Sequence, residues 1–328
     1  MLILESALKP LNPALARVPS EERPYSRAVV HIAVLGSCTL DIIFRVARFP
    51  APGETLFAES TATFVGGKGL NQGIAAARLG AEVTLIGRVG ADSAGDQLRA
   101  AAEAAGIDPR YVARDPVHPT GMAVPIVVAG GGNSILASGG ANLQVRFEDV
   151  EAAAGRLAAA DAFLVQFETP LDVVAYAVAV AHAANVPVIL NPAPVRPVSP
   201  ELLGMVDVLV VNEVEAQELA PGFSAPAAQA AALRERGPRR VVVTLGPDGC
   251  VFNDGSAGGL PAFPVAAIDT VGAGDAFCGA LAVSLATGLS FAEACRFASA
   301  AAAISVTRAG AAPSLATRAE VEAFLAVR

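Results

Sequence analysis

The chain of 328 residues is poor in charge: Asp, Glu, Lys and Arg together make up 16%, against 53% hydrophobic residues. That balance excludes charged disordered tracts and long coiled coils, which need far more polar residues. Cysteine and histidine are also scarce. Cys38, Cys250, Cys278 and Cys295 lie far apart with no CxxC spacing, and His31, His118 and His182 show no metal-ligand pattern, so neither a zinc site nor a disulfide framework is expected. A cytoplasmic location follows as the expectation. Basic residues are outnumbered, 23 against 31 acidic ones, and no basic stripe offsets the net charge of -8. Nucleic acid is therefore not an expected partner. Apolar runs of membrane-spanning length are missing too. Stretches 173–190 and 276–292 lack Asp, Glu, Lys and Arg, but His182, Asn185 and Pro187 interrupt the first, and Gly279 with Thr287-Gly288 interrupts the second. Both fall short of the roughly 20 apolar residues a span requires, so no membrane role is expected. Residues 1–28 carry Glu5, Glu21, Glu22 and scattered prolines without an apolar core. They resemble neither a secretory signal nor a transit peptide and read as a poorly ordered N-terminal extension.

From residue 29 onward short apolar runs alternate with alanine-rich helical stretches. The runs 29–35, 83–86, 162–165, 186–190, 206–211 and 241–245 read as buried strands, and helices 71–79, 94–105 and 171–184 end at Gly80, Gly106 and before Val186-Pro187. This rhythm predicts an α/β fold with a mostly parallel central sheet covered on both faces. Two places break it. Residues 40–47 alternate with period two, and 54–64 follow them after the turn Pro50-Ala51-Pro52-Gly53. A hairpin, 122–129 and 133–138, is joined by Gly130-Gly131-Gly132. These four strands, from about 40–64 and 121–138, predict a small, discontinuous β lid on the main domain 29–328.

The strongest chemical signal is Asp269-Thr270-Val271-Gly272-Ala273-Gly274-Asp275, followed at once by a helical apolar run. Small residues there let backbone N–H groups converge at a helix N-terminus, where free donors and the helix dipole favour an anion. Asp275 then stands in the first turn, where a carboxylate can take the proton of a hydroxyl attacking phosphorus. For the isolated motif, a glycine turn with an Asp helix cap is the competing reading. A second cluster, Gly66-Gly67-Lys68-Gly69-Leu70-Asn71-Gln72, also opens a helix. It is not a Walker loop, because Gly69 stands where a Ser or Thr must follow the lysine.

Taken with Gly36-Ser37 and Asp41, these two loops resemble the ribokinase (PfkB) family of carbohydrate kinases. The resemblance runs from about residue 29 to the C-terminus. It extends through Gly139-Ala141-Asn142, Gln166-Phe167-Glu168, Asn191-Pro192-Ala193-Pro194, Asn212-Glu213-Val214-Glu215, the segment from Thr244 to Gly249, and the segment from Thr307 to Ser314. It implies a three-layer α/β/α domain and ATP-dependent phosphorylation of D-ribose at O5, with Asp275 as catalytic base and Gly272, Ala273 and Gly274 forming the anion hole.

By the same resemblance Asp41, Gly67, Lys68, Asn71 and Glu168 hold sugar hydroxyls, with Thr39, Leu40, Gly69 and Leu70 beside them; carboxylates and amides suit that task. Thr39 departs from the asparagine many bacterial members carry in the sugar site, which leaves open another sugar or a nucleoside as substrate. Asn212 and Glu215 match the NxxE motif that organises phosphates and the water shell of Mg2+. Thr244, Leu245, Gly246, Pro247, Asp248 and Gly249, with Ser299, match the ATP site. Asp269, Val271, Ser305, Arg308, Gly310 and Ser314 match a K+ loop. The resemblance further implies a homodimer through the β lid. A non-catalytic sugar-binding regulator on the same fold is the remaining alternative.

Overall fold

The structure, a computed structural model, describes residues 29–128 and 132–328. The expected N-terminal extension, Ala129 at the end of the expected strand 122–129, and Gly130 and Gly131 of the expected hairpin connection lie outside these residues. On the first strand, β1 (His31–Leu35), Ile32 and Val34 enter one apolar cluster while Ala33 and Leu35 enter another. Successive side chains of a strand point to opposite faces, so this strand is covered on both sides. In chain order there follow β2 (Thr39–Val46), β3 (Ser60–Gly66), β4 (Glu82–Gly90), β5 (Val112–Asp115), β6 (Gly121–Val128) and β7 (Asn133–Ser138). Then come β8 (Ala162–Gln166), β9 (Val188–Asn191), β10 (Val208–Asn212), β11 (Arg240–Thr244), β12 (Cys250–Asn253) and β13 (Ala257–Leu260).

Nine of these form one sheet, ordered β13-β12-β11-β10-β9-β8-β1-β4-β5. Its pairings are parallel from β11 through β5, and antiparallel for β11–β12 and β12–β13. Helices Lys68–Arg78, Ser93–Ala104, Ala273–Ala286, Phe291–Ser305 and Arg318–Ala326 contribute to the first cluster. Phe147–Ala152, Leu171–Ala183 and Pro226–Glu235 contribute to the second. The result is the expected three layers. All six predicted buried strands are present; β5, β12 and β13 are additional. Among the described residues no helix is long and apolar enough to cross a membrane.

The remaining strands form the small sheet, ordered β3-β2-β6-β7. Parallel pairing of β2 with β6 joins the two separated segments, with Thr39 opposite Gly121 and Val46 opposite Val128. One expected boundary is corrected: the strand 54–64 begins at Ser60 and continues to Gly66. Residues 54–59 are irregular instead: Glu54 closes the turn at Pro52-Gly53, pairing with the Arg48 guanidinium and accepting the Ala51 N–H at 2.9 Å. The first glycine-loop helix also starts earlier than expected, at Lys68.

Parallel strands align their ends, and here the aligned residues are polar. Gln166, Asn191, Asn212 and Thr244 terminate β8, β9, β10 and β11, with Gln166 opposite Asn191 and Asn212 opposite Thr244. The carboxyl ends of parallel strands are where open α/β sheets place their ligand crevice.

Candidate active site

Asp275 occupies the first turn of helix Ala273–Ala286 and is 8% exposed. The helix is preceded by Gly272 at φ +81°, and a Cβ there would come within 3.0 Å of Ala311. Glycine is thus required both by the backbone angle and by the neighbouring loop. A Cβ on Gly274 would meet nothing within 4 Å, so this backbone fronts open space. The Ala273 N–H turns back to Thr270 O at 3.3 Å, which engages one donor of the turn internally. Both carboxylate oxygens of Asp275 accept hydrogen bonds, from Asn71 Nδ2 at 2.9 Å and from Gln72 Nε2 at 3.1 Å. Burial pushes its pKa above the ordinary carboxylate value, and Lys68, Asn71 and Gln72 oppose the rise without cancelling it.

The glycine loop brings further polar groups to this point. Gly67 caps helix Lys68–Arg78 on its N-terminal side, and the Lys68 N–H donates to Glu168 Oε2 at 3.1 Å. Glu168 also accepts the Ser37 hydroxyl. Burial alone would lower the Lys68 pKa, but the carboxylates of Asp275, Glu168 and Glu215 outweigh it and hold the ammonium form above its usual range. Gly69 packs directly on the Gly36 backbone, while Leu70 is fully buried and Leu40 nearly so. Those two leucine side chains belong to the core. Asp41, on β2, accepts the Thr39 hydroxyl at 2.9 Å and packs over Gly66. Its pKa is raised by burial first and by Glu168 and Asp275 further, so these three carboxylates share one field.

Asp275 itself lines a cleft of about 120 Å³, together with Lys68, Asn191, Asn212, Glu215, Thr244 and Gly274, among others. Asn212 and Glu215 form a reciprocal capping box on helix Glu213–Leu219: Asn212 Oδ1 accepts the Glu215 N–H at 2.8 Å, and Glu215 Oε2 accepts the Asn212 N–H at 2.9 Å. The motif therefore has a folding role beside any chemical one. Burial raises the Glu215 pKa. Residues Gly246–Asp248 form one 3-10 turn between β11 and β12, closed by Leu245 N–H to Gly249 O at 2.8 Å. Ser299 lies beside Cys250, one residue after that turn, at 4.0 Å between Oγ and Sγ.

The loop after helix Phe291–Ser305 meets the segment ahead of Gly272. Asp269 accepts the Gly310 N–H at 2.9 Å and the Val271 N–H at 3.0 Å. Ser305 and Ser314 are buried and donate to Ala302 O and Ala311 O. The Arg308 guanidinium is held by Glu320 at 2.5 Å and reaches Ser314 O at 3.5 Å, and a cationic side chain cannot ligate a cation, so only the Arg308 backbone suits a cation site. Val271 is half exposed.

Three residues of this arrangement carry no role in the sequence reading: Gln72, Gln166 and Asn191. Gln166 and Asn191 stand in segments that match the resemblance and end strands, while Gln72 directly follows the matched glycine loop. That position is the signal that could have marked them. Among the described residues no group of three or more His, Cys, Asp or Glu converges as a metal cage.

A model described as pfkB family carbohydrate kinase matches residues 30–318. The ribokinase of Haemophilus influenzae is 41% identical over 300 residues, covering 90% of this chain and 98% of that protein. A deoxyribokinase of Salmonella typhimurium is 35% identical over 257 residues, 76% of this chain and 84% of that protein. The structure of Arabidopsis thaliana ribokinase complexed with ribose and ATP matches with a TM-score of 0.83 at 33% identity, covering 90% of this chain and 99% of that chain. Similarity of this extent, over both sheets and both glycine loops, leads to one assignment: the chain belongs to the pfkB family of carbohydrate kinases.

Proposed function

We propose that the chain transfers the γ-phosphoryl group of ATP to O5 of D-ribose, giving D-ribose 5-phosphate and ADP. The observation that carries this reading is Asp275: a buried carboxylate in the first turn of a glycine-led helix, within the field of Asp41 and Glu168 and lining the same cleft as Asn212 and Glu215. The substrate follows from the ribokinase relatives. Asp275 takes the proton of the attacking hydroxyl, and the backbone of Gly272, Ala273 and Gly274 faces the charge on the transferring group. Asp41, Lys68, Asn71 and Glu168 hold the sugar, with Thr39 orienting Asp41. Residues Thr244 to Gly249 and Ser299 border the nucleotide.

Asn212 and Glu215 suit Mg2+ held through water, because that ion keeps several waters and needs few protein ligands. When bound it supplies charge neutralisation on the phosphate oxygens. The carbonyl-rich loop from Ser305 to Ser314, facing Asp269, suits K+, which supplies order to that loop. The small sheet serves as lid and as the contact of a homodimer. Four free, buried thiols suit a reducing, cytoplasmic setting.

A second reading, phosphorylation of deoxyribose, is favoured by the deoxyribokinase relative and by Thr39, whose hydroxyl is shorter than the amide it replaces. The test is ADP release with ribose, deoxyribose, fructose and nucleosides, for the parent and for Asp275→Asn. Ribose is expected to give the highest kcat/KM. Asp275→Asn is expected to lose about 10²–10⁴ in turnover while still binding ribose. Turnover near the parental rate in that variant would falsify the assigned mechanism.

A further inference from the structure

The hydrogen bonds at Asp275 continue beyond the groups assigned to substrate. Gln72 Nε2 donates to Asp275 Oδ1 at 3.1 Å, and Gln72 Oε1 accepts from Gln166 Nε2 at 2.6 Å. The same Gln72 nitrogen reaches Asn191 Oδ1 at 3.4 Å, and Asn191 Nδ2 is anchored on Val210 O at 3.0 Å. Gln72 and Gln166 are fully buried. Gly36 makes room for this chain, because a Cβ there would collide with Gln166 Oε1.

A side-chain amide donates at one end and accepts at the other, whereas an ionised carboxylate accepts only. Gln166 presents its donor to the Gln72 oxygen, which turns the Gln72 nitrogen towards Asp275. With Gln72 reversed, two oxygens would face each other at Asp275 and two NH2 groups at Gln166. The chain thus has one direction while Asp275 is charged, and its far end sits on the ends of β8 and β9. Among the described residues Gln166 Oε1 is buried without a hydrogen-bond partner, so the network already carries one unsatisfied acceptor, and loss of the Gln166 donor would leave Gln72 Oε1 as a second.

We propose that Gln72 and Gln166 are positioning residues for phosphoryl transfer: Gln166 orients the Gln72 amide, and Gln72 holds the Asp275 carboxylate in its proton-accepting state. This rests on the reading of Asp275 as the base. Other ionisable groups facing Asp275 are Lys68 from the glycine-loop helix, Glu168 after β8, Asp41 on β2 and Cys278 on its own helix. The Gln72 hydrogen bond is one of the influences that hold the Asp275 pKa down against burial. Its loss raises that pKa, so the acid limb of the rate profile moves to higher pH.

Gln166→Glu and Gln166→Met test this, with Asp275→Asn as reference. In Gln166→Glu the new carboxylate accepts from Gln72 and turns the Gln72 oxygen towards Asp275; in Gln166→Met the amide is merely released. Expected are a fall in kcat of about tenfold, an unchanged KM for ribose, and an acid limb of kcat/KM raised by about one pH unit in Gln166→Glu and by less in Gln166→Met. A limb that stays at the parental pH in both variants overturns the proposal, whether or not kcat falls, because a purely structural role lowers kcat without moving the limb. Should either variant fail to fold by circular dichroism, Gln72→Met carries the same test by deleting the donor directly. An active Asp275→Asn sinks the base reading itself; an inactive Asp275→Asn with unmoved limbs sinks this inference alone.

Discussion

The ring of Phe64, on the small sheet, lies against Gly310, such that a Cβ at position 310 would come within 3.0 Å of two ring carbons. Gly310 has φ +80° and donates its N–H to Asp269, whose segment leads into Gly272. One residue therefore joins the small sheet, the proposed cation loop and the start of the helix that carries the proposed base. Gly310→Ala forces a side chain into left-handed backbone, at a cost of about 1–2 kcal/mol, and presses on Phe64. The expected outcome is a lower Tm and a higher potassium concentration for half-activation in assays run from zero potassium. A potassium response matching the parent would remove this loop from the cation site.

The raised pKa of Asp275 sets the sign of the pH dependence. Burial, added to by Glu168, favours the neutral acid, and the proposed base works only as the carboxylate. Activity is therefore lost as pH falls through a pKa higher than the ordinary Asp value of about 3.9. The acid limb of kcat/KM for ribose is expected above that value. A profile that stays flat down to about pH 4 would contradict it.

Because Asn212 and Glu215 cap a helix as well as line the cleft, the two roles are separable. Glutamine serves at the third position of a capping box as well as glutamate does. Glu215→Gln is expected to keep the parental Tm while requiring more magnesium. Asn212→Ala is expected to lose about 1 kcal/mol of stability in addition to activity. Equal melting losses in both variants would show that the carboxylate charge, not the cap, holds this turn.

The small sheet exposes Ile135 and Leu136 on its edge strand β7, at 57% and 66%. Apolar residues on an unpaired edge strand invite a second strand, and a two-fold copy of the same surface is the commonest partner. Light scattering at micromolar protein is expected to give a dimer, and Leu136→Asp to shift it towards the monomer. A parental mass near 33.0 kDa, unchanged by ribose and ATP, would exclude the contact.

The order of apolar runs and glycine stops determined the α/β class, the six central strands and the position of both glycine loops, because these depend on local periodicity and turn chemistry. Asp275 was likewise legible, since a helix start is a short-range event. What only the tertiary structure decided is which distant groups surround it. Asn71 and Asp275 meet across 204 positions, and Gln166 and Gln72 across 94. Parallel pairing of β2 with β6 joins two segments of the small sheet that nothing local connects. The irregular stretch 54–59 follows a turn tied by the Glu54 pair with Arg48, where strand periodicity alone would have extended β3. Amide direction is set by the donor or acceptor it faces, and that neighbour is supplied by packing of separate helices and strands, so it leaves no trace in residue spacing.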